Sequence, residues 1–170
     1  MDLNIQNRSQ QVQSQIMSYV SEYCETSDSA PSELTFRHLV VILHNSPPTE
    51  HLTYFRAISS LDKLLVTVAL KVLVLTHRAM LYCSFINPAP FEKLYQKMSD
   101  TWKEINEKQL GNSADMWRNP YFTRLVHQYS DILLEKVKVV NEFNNIIDSA
   151  YVLQSGTVGP RRVKNANPLD

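Results

Sequence analysis

Between Leu61 and Tyr82 the chain carries apolar residues on almost every side of a helix, and this stretch constrains the rest of the fold. Val66, Leu70, Leu73, Val74, His77, Met80 and Leu81 recur at helical spacing and predict one face. Leu65, Val68, Ala69, Val72, Leu75 and Ala79 fill most of the remainder, leaving Lys63, Thr67, Lys71 and Arg78 as a narrow polar stripe. Such a helix must be wrapped by others, so it is expected at the centre of its domain. The run from Leu64 to Leu75 is interrupted by Lys71 and is shorter than the roughly 20 residues a bilayer crossing requires.

Five further helices are expected around it. Val12, Ile16, Tyr19, Val20 and Tyr23 predict the first, from about Gln10 to Cys24, with residues 1–10 frayed. Ser32 is placed to cap a second that runs to His44 and ends at Pro47-Pro48. Thr49 is the expected cap of a short third helix to Ser59, and Ser60 that of the central helix. Beyond Asn87-Pro88-Ala89-Pro90, a fifth helix from Phe91 to Leu110 aligns Phe91, Leu94, Tyr95, Met98, Trp102 and Ile105. Pro120 suits the first turn of a sixth, reaching about Ala150. Its expected buried stripe is Phe122, Leu125, Tyr129, Ile132, Leu133, Val140, Phe143 and Ile147. The fold class is therefore all-α: one domain over residues 1–153, followed by a flexible tail at 154–170.

Composition supports this. Three glycines among 170 residues supply few tight hairpin turns. Cys24 and Cys83 are too few for a disulfide framework and lie in apolar segments, so buried thiols are expected. With a formal net charge of zero, no global field draws the chain to nucleic acid. The first residues lack the basic and apolar regions of a secretory leader, and a cytoplasmic location is expected.

No catalytic or cofactor-binding pattern emerges. There is no glycine-rich phosphate loop, no His-Glu-x-x-His helix and no closely spaced cysteine pair, so neither enzyme, metal nor cofactor is expected. His38 and His44 are six residues apart and off a common helical face. His77 on the central helix is expected to be a hydrogen-bonded core histidine. Dileucine-like strings at Asp62-Lys63-Leu64-Leu65 and Asp131-Ile132-Leu133-Leu134 fall in expected buried faces and are discounted as sorting signals.

The segment Val66 to Met80 resembles the signature helix of ANTH domains, in which an apolar run leads to a Lys, a Leu and a His-x-x-Met ending. Lys71, Leu73, His77 and Met80 match in register. Tyr129-Ser130-Asp131-Ile132-Leu133-Leu134-Glu135-Lys136 is similar to a second family segment, with Ile132 where a tyrosine stands, and Phe85-Ile86 resembles a third. The resemblance covers roughly residues 12–148. It implies a right-handed superhelix of about six helices, like those of the ENTH and VHS domains. It also implies an adaptor role in clathrin-mediated endocytosis or vesicle traffic, peripheral at membranes or coated vesicles. The implied partners are phosphoinositide headgroups and clathrin-coat or cargo proteins.

The family's lipid motif falls on Glu25, Thr35, Arg37 and His38, and only Arg37 and His38 keep its chemistry. Residues 1–60 hold three arginines against six carboxylates. Arg161, Arg162 and Lys164 in the tail are possible accessory cations. The alternative implied by the same superhelix is a VHS-like protein-interaction module that has lost its lipid site.

Overall fold

The computed structural model describes residues 3–83, 85–111 and 120–142. Six helices follow in order: α1 (Leu3–Tyr23), α2 (Glu33–Asn45), α3 (Pro48–Ser60), α4 (Val66–Tyr82), α5 (Ala89–Gly111) and α6 (Pro120–Glu142). No strand occurs among the described residues, and the all-α class is as expected. The expected continuation of α6 towards Ala150, with Phe143 and Ile147, lies outside the described residues.

α1 packs against α2 and α3, α4 meets α6 and α2, and α5 lies along α6 in the most extensive pairing. One core runs through all six, from Ile16, Val20 and Tyr23 to Trp102, Leu133 and Val137. On α4 no residue from Val66 to Leu81 is fully exposed, as a central helix requires. Polar pins join the pairs: Ser9 on α1 donates to Glu50 on α3, and Ser99 on α5 to Asp131 on α6. Asn141 donates to Glu92 at 2.6 Å.

Several boundaries differ from those expected, each for a local reason. α1 begins at Leu3 rather than Gln10, because nothing in the polar first turns breaks a helix. α2 starts as predicted, with the Ser32 hydroxyl accepting from the Thr35 amide at 3.2 Å. α3 starts at Pro48 instead of behind a Thr49 cap, since proline at the first position gives up no needed amide. Ser60 caps nothing: it ends α3 and donates to the Ala57 carbonyl, and α4 begins only at Val66. Between them, the Lys63 ammonium donates to the carbonyls of Ile58, Ser59 and Leu61 at 2.8, 3.1 and 2.8 Å. A cation on the last carbonyls of α3 satisfies its acceptors and opposes its dipole, so the chain stops and turns there.

This turn leaves Leu64 and Leu65 exposed in the connection, not on a buried helix face. In the second dileucine-like string, Leu133 and Leu134 are buried as expected. Lys71, assigned to a polar stripe, is buried as well. Its ammonium donates to the carbonyls of Glu25 and Ser27 at 2.9 and 2.8 Å and ties down the α1–α2 connection.

The largest departure is on α6. The buried face consists of Thr123, Val126, Ser130, Leu133, Leu134 and Val137, while Phe122, Leu125 and Ile132 point outward. This helix has apolar residues on two opposite sides, and periodicity alone does not say which side meets the core.

Candidate functional site

The residues at the lipid-motif positions lie around the start of α2. Thr35 is buried and its hydroxyl donates to the Glu22 carboxylate at 2.6 Å, so it contributes nothing to the surface. Glu25 sits in the α1–α2 connection and accepts from the hydroxyls of Ser27 and Ser29 at 2.5 and 3.1 Å. These two bonds, with the charge of Lys71 behind them, hold its carboxyl below the usual range. A firmly ionised carboxylate thus stands at this position.

Arg37 and His38 are exposed on the outer side of α2, flanked by the exposed Leu34 and Val41. His38 lies against the ring of Tyr19, with centroids 5.6 Å apart. The Nε of Arg37 donates to Glu33 at 3.2 Å, one helical turn back. The other oxygen of the same carboxylate accepts from Arg78 on α4 at 2.7 Å. Arg78 also stacks on the Phe36 ring, 3.7 Å from its centroid, and reaches the Tyr23 hydroxyl at 3.5 Å. Hydrogen bonds from Arg78 and then from Arg37 lower the pKa of Glu33, so this carboxylate stays ionised between the two guanidinium groups.

The family resemblance brought Arg37 and His38 to attention but did not include Glu33 or Arg78. The Glu33–Arg37 pair at i, i+4 was a readable signal. Arg78, 45 residues further along, offered none. Arg161, Arg162 and Lys164 lie outside the described residues.

A second constellation joins α4 to α6. The His77 Nδ1 bonds the Tyr129 hydroxyl at 2.8 Å, and Lys136 donates to its Nε2 at 2.8 Å. An ammonium has no acceptor, so His77 here is neutral, with its proton on Nδ1 and donated to Tyr129. Burial first, and the Lys136 charge second, push its pKa below the ordinary histidine value. The α4 and α6 segments that resemble the ANTH family are therefore bonded to each other through their own polar residues.

The remaining histidines are held in structural contacts. His51 bonds the Leu43 carbonyl at 3.0 Å, His44 packs on Phe85, and His127 pairs with Asp131 at 3.3 Å. Burial pushes the thiols of Cys24 and Cys83 up to about 12, so neither is a ready nucleophile. Among the described residues no group of three or more His, Cys, Asp or Glu side chains could hold a metal ion. A shallow groove of about 600 Å³ on α5 presents Glu92, Lys93, Lys97 and Asp100 side by side, a balanced polar surface. No helix among the described residues is long and apolar enough to cross a membrane. Comparison with family models, with curated proteins and with solved structures finds no match.

Proposed function

We propose that this chain is a non-catalytic adaptor module of the ENTH/ANTH/VHS superhelical class, working in vesicle traffic by binding clathrin-coat or cargo proteins. One observation carries the choice of protein over lipid: the Glu33 carboxylate bonds both Arg37 and Arg78, so a negative charge stands where an external anion would dock between them. A phosphate docking there would displace or face the Glu33 carboxylate. Each cation near an anionic membrane contributes only about 1 kcal/mol, so one arginine paired with Glu33 and one histidine retain little lipid affinity. The aliphatic residues Leu34 and Val41 beside Arg37 and His38 suit a protein surface better than a headgroup pocket. The adaptor class itself is supported by the matched segments on α4 and α6, which meet at His77, Tyr129 and Lys136.

The phosphoinositide reading keeps one observation in its favour. Arg37 is highly exposed and bonds Glu33 only through Nε, so its outer guanidinium edge faces solvent. Vesicle co-sedimentation separates the two readings. Wild type is expected to ignore vesicles containing phosphatidylinositol bisphosphate, while Glu33→Lys gains salt-sensitive binding. Recovery of identified coat or cargo proteins from lipid-free cytosol, lost in Arg37→Glu/Val41→Glu, is the matching positive result. Strong wild-type vesicle binding that Arg37→Glu/His38→Glu abolishes would reverse the assignment.

A further inference from the structure

A single imidazole ring ties α4 to α6. The His77 Nδ1–H donates to the Tyr129 hydroxyl, and its Nε2 accepts from the Lys136 ammonium, each at 2.8 Å. Tyr129 and Lys136 stand two helical turns apart, so they share one side of α6 and bracket the fully buried Leu133. The more extensive pairing of α6 is with α5. α6 therefore keeps its place in the domain when its tie to α4 is lost.

An ammonium only donates, so the Lys136 bond exists only while Nε2 carries no proton. A proton on Nε2 removes the acceptor and sets a second positive charge against the first at contact distance. We propose that His77 is an acid-operated latch: its protonation expels Lys136 and frees the Tyr129–Lys136 stretch of α6 from α4.

The groups around the ring give an added proton no counter-charge. From α6 they are Tyr129 and Lys136 themselves. Tyr23 of α1 and Tyr95 of α5 face Tyr129 and are uncharged in acid. Arg78, next along α4, is turned to Glu33 of α2 and Tyr23 of α1. Among the described residues the carboxylate that pairs with a histidine is Asp131, and its partner is His127. Burial and then the Lys136 charge disfavour the protonated ring while the latch is closed. Once Lys136 has left, the ring recovers an ordinary value of about 6.5, and this difference drives opening as pH falls. The latch does not rest on the adaptor reading above.

Histidine-ring NMR on the full chain, with His77→Gln to assign the signal, reads the proton, and amide hydrogen exchange reads the opening. His77 is expected to titrate below about 6.5. Beneath that pH, exchange over residues 129–136, corrected for its intrinsic rate, should rise by up to about tenfold per pH unit. The rise should be insensitive to low urea, as a local opening is. Lys136→Gln should move the titration upward. Lys136→Glu should carry it above about 6.5 and reverse the slope, because a carboxylate favours the protonated ring and that contact is lost as pH rises. A structural histidine without the latch would show no such reversal. Three results would each overturn the proposal: wild-type His77 titrating at or above the ordinary value, exchange over 129–136 that ignores the titration, or an acid response as urea-sensitive as the slowest amides, which would mean global unfolding. A titration left in place by Lys136→Glu would do the same.

Discussion

Replacing Lys71 by methionine tests whether the buried ammonium holds the α1–α2 connection in place. The side chain is 7% exposed and donates to two carbonyls, those of Glu25 and Ser27, at 2.9 and 2.8 Å. Methionine keeps most of the apolar stem and its packing while removing the charge and both bonds. A hydrogen bond from a charged donor contributes about 1.5–3 kcal/mol, and water replaces part of it because the connection lies at the surface. The expected net loss is therefore about 2–3 kcal/mol, less than the sum of two such bonds. For a chain of this size each kcal/mol lowers Tm by roughly 2–4 °C, so the melting temperature should fall by about 4–12 °C. Urea unfolding followed by circular dichroism should give the same free-energy change with an unaltered m value. Lys97→Met, at an exposed position on α5, is the control and should stay within about 0.5 kcal/mol of wild type. A Lys71→Met loss below about 1 kcal/mol would refute the reasoning and place the connection's order in its serine–carboxylate contacts instead.

Two other expectations concern the interior. The folded pKa of His77 is depressed, so between that value and the unfolded value of about 6.5 the unfolded chain binds more protons. Stability should therefore be fully present above about pH 6.5, fall as pH drops below it, and level off beneath the folded pKa. Urea midpoints measured across this range should show the slope, and His77→Gln should flatten it. The Tyr54 hydroxyl is buried without a hydrogen-bond partner, so Tyr54→Phe should be neutral or stabilising by about 1 kcal/mol. A clear destabilisation in thermal melts would mean that the hydroxyl is satisfied.

The helices were legible where pattern and local chemistry agree. The apolar belt of α4 specified a surrounded helix, and the Ser32 cap of α2 could be read from one hydroxyl ahead of a periodic run. Sequence reasoning failed where a side chain far from its own backbone decides the outcome. Lys63 ends α3 by bonding three carbonyls, and nothing in the order Ser60-Leu61-Asp62-Lys63 separates that from a helix start. Lys71 looks like a stripe residue until the α1–α2 connection is folded over it. On α6 two apolar faces compete, and only packing against α5 and α4 selects Val126, Leu133 and Val137 over Leu125, Ile132 and Val139. The candidate site was half legible: Arg37 and His38 stand where the motif puts them. Their electrostatic setting depends on Glu33 meeting Arg78, a contact between helices that no local pattern encodes.

The two cysteines provide a natural clock. Cys24 closes the last turn of α1, next to the connection that Lys71 holds, and Cys83 caps the end of α4 by donating its amide to Ala79. Both thiols are shut away from solvent and poorly ionised, so an alkylating reagent reaches them only when their surroundings open. The rate at which each is trapped measures how often its end of the molecule comes apart, without any label being introduced. If Cys24 reacts sooner than Cys83, the amino-terminal helices detach while the α4 end stays assembled. Equal rates mean that the six helices open as one cooperative unit.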